Sequence, residues 1–341
     1  MATLKMGVGF SHSPEMAVDA RLWSELVIPG DMPMGMKYVD GDGTQLTGSE
    51  LAARDAGKYA AQAQQSHWDA SGKIVRDAVD RIKASIQENE IDVIFVFGDD
   101  QYELFDHSNH PAMLIYYGEE FRMANLKARL IEGAVKRNLS AETVHQMLTG
   151  IHCEERYTYP NHAGLAKHAI ASLMRSGFDI STSGQMPADE DRGIGHAFGV
   201  VIGQLALESR IPVVPMYINT YFPPNQPSPN RCYDLGLAVR AAIESYPEDI
   251  NVAVLASGGL THFVLDEQRV DRPFIDLMYS HDDVPLRTYP HEILQSGNSE
   301  MLNWIAVHAA CQHLNVQWHA YTPVYRTDWG QGVGVAVMEW S

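Results

Sequence analysis

Asp92-Val-Ile-Phe-Val-Phe-Gly-Asp-Asp-Gln101 reads as a buried β-strand that runs straight into residues fit to bind a metal or move a proton. An unbroken run of β-branched and aromatic residues belongs to a strand covered on both faces, as in open α/β sheets. Three other stretches share this layout: Met6-Gly-Val-Gly-Phe-Ser-His12, Gly193-Ile-Gly-His196 and Val252-Ala-Val-Leu-Ala-Ser-Gly-Gly-Leu-Thr-His262, the last followed closely by Glu267. Open α/β sheets gather ligands at the carboxyl ends of their strands, so these distant residues are expected to meet there. The pattern points to an enzyme.

Outward from that strand, the segment from Glu50 to Glu88 turns helical, with Ile74, Val75, Ala78, Val79, Ile82 and Ile86 on one face. With the first strand this makes a β-α-β start. Residues 13 to 50, rich in Pro, Gly, Asp and Met, read as a long loop over the strand ends, where such loops shape pockets. Met113-Leu-Ile-Tyr-Tyr-Gly118 is another strand, and residues 120–150 a helical insertion carrying Leu126, Leu130, Ile131, Val135, Leu139 and Val144. Helix Gly164 to Ser176, strand Phe178 to Ser183, helix Phe198 to Glu208, strand Pro212 to Ile218 and helix Cys232 to Ser245 continue the alternation. The tail from Val316, with Tyr321, Tyr325 and Trp329 among glycines, reads as loop plus a last strand that closes the pocket. A single α/β domain spanning 1–341 is the expectation.

The 341 residues are 45% hydrophobic and 20% charged, enough for a substantial core. Lys and Arg number 25 against 43 Asp and Glu, a formal charge of −18 that disfavours nucleic acid and anionic membrane as partners. Cys153, Cys232 and Cys311 are widely spaced with no CxxC pair, which argues against a disulfide framework or a cysteine zinc site and for a reducing cytoplasm. The start, Met-Ala-Thr-Leu-Lys-Met, lacks the layout of a secretion signal, and no apolar run reaches the ~20 residues that span a bilayer, so a soluble protein is expected. The glycines of Gly7-Val-Gly9 and Gly330 to Gly334 match no phosphate-binding spacing.

His12 is followed by Ser13-Pro14, which forces a turn that would aim the ring into the crevice. His196 sits among glycines at a helix start, where a capping histidine is the plain alternative to a functional one. Ser257-Gly-Gly-Leu-Thr-His262 repeats the arrangement of strand, small-residue turn and histidine. Glu267 is either a solvated surface carboxylate or the acid of a two-histidine, one-carboxylate triad of the kind that holds non-haem Fe(II); spacing alone leaves both open. Tyr116, Tyr117 and Trp304 read as core aromatics. Ser299, Asn303 and Arg231 are candidates to hydrogen-bond a ring substituent or a carboxylate.

Seven ordered motifs carry a resemblance that covers most of the chain: Gly9-Phe-Ser-His-Ser-Pro14, Phe97-Gly-Asp-Asp-Gln101, Gly195-His-Ala-Phe-Gly199, Asn219-Thr-Tyr-Phe-Pro-Pro224, Arg231-Cys-Tyr-Asp-Leu-Gly236, Ala256-Ser-Gly-Gly-Leu-Thr-His262 and Ser296-Gly-Asn-Ser-Glu-Met-Leu-Asn-Trp304. In these the sequence resembles the class III extradiol ring-cleaving dioxygenases, the superfamily of the protocatechuate 4,5-dioxygenase β-subunit, and within it the 3-O-methylgallate and gallate-cleaving type. The resemblance implies an αβ(α) sandwich around a mixed, mainly parallel sheet. It also implies Fe(II) as cofactor, His12 and Glu267 as iron ligands, and His196 as the acid–base residue. His262 is then expected to orient substrate or Glu267.

One departure stands out: Gln101 occupies the place of the family's second histidine ligand. A glutamine carbonyl is a weaker ligand than imidazole, so His67, at the start of the amphipathic helix, is the preferred substitute. His107 and His110 are weaker candidates, in a polar loop expected to lie away from the crevice. The function implied is cleavage of a small catecholic acid of protocatechuate, gallate or methylgallate kind by O2, in a protein that works as a homo-oligomer, such as a homodimer. A zinc-dependent hydrolase or lyase, or an inactive binding homologue, are the alternatives.

Overall fold

A computed structural model describes residues 1–30, 37–206 and 211–341. Its centre is a nine-stranded mixed sheet. The strands are β1 (Thr3–Phe10), β2 (Val93–Gly98), β3 (Met113–Tyr116), β4 (Ser181–Ser183), β5 (Val213–Ile218), β6 (Asn251–Ser257), β7 (His262–Val264), β8 (Val316–Tyr325) and β9 (Gln331–Trp340). Four neighbours, β1, β6, β2 and β5, run parallel in that spatial order. Antiparallel pairing is confined to the margins: β3 against β5, and β9 against β1, β7 and β8. The expected mixed α/β architecture is therefore present, with the parallel block at its middle.

Alternation along β2 explains the two layers. Val93, Phe95 and Phe97 point into a core shared with the helices Ala163–Arg175, Pro229–Glu244 and Met301–Ala310. Ile94 and Val96 point the other way, toward Val75, Ala78, Val79 and Ile82 of the helix Gln65–Glu88 and Phe198 of the helix His196–Val201. A strand apolar on both faces needs a layer on both, and each fully buried large side chain contributes about 1.5–3 kcal/mol of transfer free energy. Gly9 serves this packing: a Cβ there would lie 2.1 Å from Cζ3 of Trp304, so the glycine lets the helix Met301–Ala310 lie flat on β1. Tyr116 and Trp304 are core, as read from the sequence.

Several expected elements take a different form. Gly193 to His196 is no strand; Ile194 makes a single bridge to Met123, and the glycines serve a turn into the helix. The stretch ending at His262 divides into β6 and β7, because Gly258 and Gly259 break it and β7 pairs with β9 instead of β1. The tail is a long antiparallel hairpin of two strands, β8 and β9. The 50–88 region is two helices, Gly48–Asp55 and Gln65–Glu88, the first opened by a capping box of Thr47 and Glu50. The helix expected from Phe198 runs His196–Val201 and passes into a π turn, Ile202–Ala206; its last two residues, 207 and 208, lie outside the described residues, as do 31–36 of the rim loop. The 120–150 insertion holds a short strand, Glu120–Arg122, and the helices Lys127–Arg137 and Ala141–Gly150. Among the described residues no helix is long and apolar enough to cross a membrane.

Candidate functional site

The four parallel strands end side by side, and the residue just past each end faces one cavity or supports a residue that does. After β1 comes Ser11-His12, after β2 Asp99, after β5 Asn219-Thr-Tyr221, and β6 closes on Ser257. Pro14 at the first position of a short 3-10 turn, with Ser13 extended before it, fixes the chain reversal that the Ser13-Pro14 pair foretold. A cavity of about 250 Å³ opens here, small for a ligand site and of single-ring scale. His12, Gln101, Glu103, His196, Tyr221, His262 and Glu300 form its polar floor; Leu26, Ile28, Leu130, Met147 and Ile151 form apolar walls.

At the floor His12, Asp99 and Glu300, all buried, bring ligand atoms within 4.8 Å of one another. Nδ1 of His12 lies 3.1 Å from Oγ of Ser257, whose own hydroxyl hydrogen goes to the Ala197 carbonyl. Ser257 therefore accepts, His12 carries its hydrogen on Nδ1, and Nε2 is left as the ligand atom, 3.1 Å from Oε1 of Glu300. Asn303 fixes this serine's backbone by donating to the Ser257 carbonyl.

Glu300 stands in the turn that enters the helix Met301–Ala310. Tyr221 donates its hydroxyl to Oε1, and the Gly259 N–H donates to Oε2 at 2.6 Å. Burial pushes the Glu300 carboxyl up, but the adjacent imidazoles of His12 and His262 and the hydrogen bonds hold it well below the usual carboxylate range. Asp99 is the opposite case. Burial first, and then the negative charge of Glu300, push its carboxyl up to about 7, and its Oδ1 finds no hydrogen-bond partner among the described residues. Two buried carboxylates and an imidazole, with one oxygen orphaned and, among the described residues, no Lys or Arg paired with either acid, are a donor set that fits a divalent cation.

Beside the cluster stands a histidine–carboxylate pair. Nδ1 of His196 is 2.5 Å from Oε1 of Glu103, and the His196 ring meets the His12 ring edge-on at 5.0 Å. Burial works to lower the His196 pKa, yet the charge and hydrogen bond of Glu103 raise it to about 9. Burial likewise opposes ionisation of Glu103, and His196 overcomes it, bringing the acid down to about 2. At neutral pH the pair is an imidazolium facing a carboxylate, with Nε2 of His196 the atom free of Glu103. His262 donates Nδ1–H to the Leu260 carbonyl and sets Nε2 3.4 Å from Oε2 of Glu300. Gly297 leaves room for it: a Cβ there would lie 2.2 Å from the His262 Cβ.

Of the residues expected from sequence, His12, His196, His262 and Gln101 come together in this cavity. Glu267 does not. It opens the π turn after β7, pairs with Arg272, and lines a separate cavity with Asp40, Arg54 and Arg269. The carboxylate that reaches His12 is Glu300, because the chain turns away at β7 while the turn before Met301 is pressed against the end of β6. His67 is exposed on the helix Gln65–Glu88 and does not line the cavity. Gln101 sends its side-chain amide 3.4 Å toward Oδ2 of Asp99, the donor two residues earlier. Ser299 bonds the Ser296 carbonyl within its own turn, and Arg231 stacks on Phe178 and donates to Gly177, so neither they nor Asn303 line the cavity. His107 and His110 pack against Tyr102, away from it. Sequence reasoning passed over Asp99, although it directly ends the most legible strand, and Glu300, whose one signal is a charge ahead of an otherwise apolar helix.

A family model described as "Catalytic LigB subunit of aromatic ring-opening dioxygenase" matches residues 55–322. Gallate dioxygenase of Pseudomonas putida is 38% identical over 125 residues, a match that takes in 34% of this chain and 35% of that protein. The chain thus matches about a third of that relative's length. A solved structure, that of the uncharacterized protein JW3007 from Escherichia coli K12, aligns with 77% of this chain and 91% of its own at 11% identity, with a TM-score of 0.42.

Proposed function

Because the chain belongs to the LigB family, the catalytic subunits of aromatic ring-opening dioxygenases, we propose that it opens the ring of a small catecholic acid with O2, using Fe(II) held by His12, Asp99 and Glu300. One observation carries the reading: three ligand atoms converge at the ends of parallel strands, and among the described residues neither of the two buried acids is paired with a lysine or arginine. Gln101, beside Asp99, takes the place of an imidazole ligand in this arrangement. Ferrous iron bound there supplies Lewis acidity toward adjacent ring hydroxyls and electrons toward dioxygen.

The remaining chemistry falls to side chains. Ser257 keeps the His12 ring in the tautomer that leaves Nε2 free. Tyr221, His262 and the Gly259 N–H fix the rotamer of Glu300, so little reorganisation is needed when a ligand arrives. His196 exchanges a proton at Nε2 with the ring oxygen nearest it, and Glu103 holds the imidazolium through Nδ1. The apolar walls exclude water from the reacting ring. Three buried, unpaired cysteines fit a reducing cytoplasm, and Ile131 and Val135, exposed on the insertion, fit the self-association expected of a homo-oligomer.

The test is anaerobic reconstitution with Fe(II), followed by O2 uptake and product absorbance across a catechol panel. Stoichiometric O2 consumption with a ring-opened product is expected, together with loss of bound iron in His12→Ala. Product formed without O2 would move the protein to hydrolase or lyase chemistry, and failure to retain any divalent metal would overturn the reading.

A further inference from the structure

The cavity is lined by three arginines, and among the described residues only Arg326 is paired with a carboxylate. Arg326 is spent on Glu15 in a two-pronged buried pair, Nε to Oε1 at 2.6 Å and Nη2 to Oε2 at 2.9 Å. Arg129 is exposed and gives Nη1 to the Gln101 carbonyl. Arg137, at the end of the helix Lys127–Arg137, is half-buried. Its Nη2 donates to the Leu26 carbonyl at 2.8 Å and more weakly to Val27, its Nε is buried without a partner, and no carboxylate pairs with it among the described residues. Burial and then the nearby charge of Arg326 pull its pKa below the ordinary arginine range, and Glu15 offsets them only in part.

We propose that Arg137 is a specificity-determining residue that receives the carboxylate of the aromatic acid. The inference rests on the ring-opening reading for its substrate and adds which wall of the cavity takes the acid group. A guanidinium partly removed from water is stabilised by an anion with two coplanar oxygens, and a carboxylate offers that shape. The floor opposite already has its charges matched, Glu103 by His196 and Glu300 by His12 and His262, and offers ring hydroxyls the candidate metal ligands and the His196 ring. Leu130 and Met147, from the insertion that also carries Arg137, and Ile151 just after it meet the hydrocarbon of the ring between the two ends. The insertion thereby sets orientation as well as covering the cavity.

The experiment compares equilibrium binding of 4-hydroxybenzoate and 4-methylphenol, neither of which is a catechol, to wild type, Arg137→Met and Arg137→Lys. Arg137→Met is expected to weaken 4-hydroxybenzoate about ten- to hundredfold and to leave 4-methylphenol unchanged, with Arg137→Lys in between because it keeps the charge and loses the planar fork. Equal losses for both ligands, or none for the benzoate, would overturn the assignment. The two readings fail separately. Arg137-dependent benzoate binding without O2 uptake on any catechol refutes ring opening alone, and turnover that ignores the carboxylate refutes Arg137 alone.

Discussion

Glu15 and Glu300 are almost equally hidden from water, at 2% and 1% exposure, and their surroundings could hardly differ more. Glu15 is matched by Arg326, and each oxygen of the acid receives one guanidinium hydrogen. Among the described residues Glu300 pairs with no arginine or lysine; it is held by two histidines, a tyrosine hydroxyl and a backbone amide, with a second acid, Asp99, close by. A balanced buried pair is a structural element whose loss leaves a stranded charge. An unbalanced buried cluster is informative about function, because perturbed buried groups gather where a site binds a ligand or moves a proton. Glu267 supplies the contrast nearer the surface, where Arg272 pairs with the carboxylate that sequence alone put forward as the ligand.

The sharpest break of this comparison is Glu300→Gln. Turnover and metal retention are expected to be lost, while the metal-free variant gives up only about 1–2 kcal/mol in a urea titration, since the amide keeps an acceptor for Tyr221 or Gly259 and the histidines it leaves behind can stay neutral. A large loss of stability in the metal-free protein would class Glu300 with Glu15. Arg326→Met should show the reverse: a cost of about 3–5 kcal/mol in the same urea titration, because Glu15 is left charged and alone.

Asp271 sharpens the comparison through pH. It is buried with no basic partner among the described residues, accepts from the Thr261 N–H and hydroxyl and from Tyr321, and burial raises it from 3.8 to about 7 despite those bonds. A raised carboxyl means the native state keeps its proton longer than the unfolded chain. Its contribution is therefore fully present below pH 3.8 and is lost as pH rises through about 7. Urea midpoints of wild type and Asp271→Asn between pH 4 and 8 should diverge over that window, the variant showing the flatter profile. The smallest effect belongs to Glu267→Gln: stability within about 1 kcal/mol and unchanged bound metal, as for a solvated ion pair. Loss of metal in that variant would restore Glu267 to the site.

How far the sequence reached follows from how local each signal is. The run from Val93 to Phe97 announces a doubly covered strand because burial on both faces leaves no polar position in five residues. His12 was legible because a proline two residues on fixes the turn, and His196 because the glycines before it open a helix. The helical insertion was legible from its periodicity, but its part in the cavity was not, since nothing local says that Arg137 lies over the strand ends. The strand expected at Gly193 failed for a related reason: its short apolar context matches a turn as well as a strand, and neighbours decide.

By itself, the sequence determined the alternation of strands and helices, the polar residues waiting at the strand ends, and the acidic balance of the chain. Tertiary structure alone decided which acid meets His12. Glu267 is nearer in sequence to the β6 motif, yet the break at Gly258-Gly259 carries it off with β7 onto β9. Glu300 arrives because Trp304 lies against Gly9 and donates to the Gly258 carbonyl, docking its helix on β1 and pressing the preceding turn onto the cavity floor. Periodicity reports which face of an element is buried; which elements then touch depends on packing between distant segments, and no local pattern encodes it.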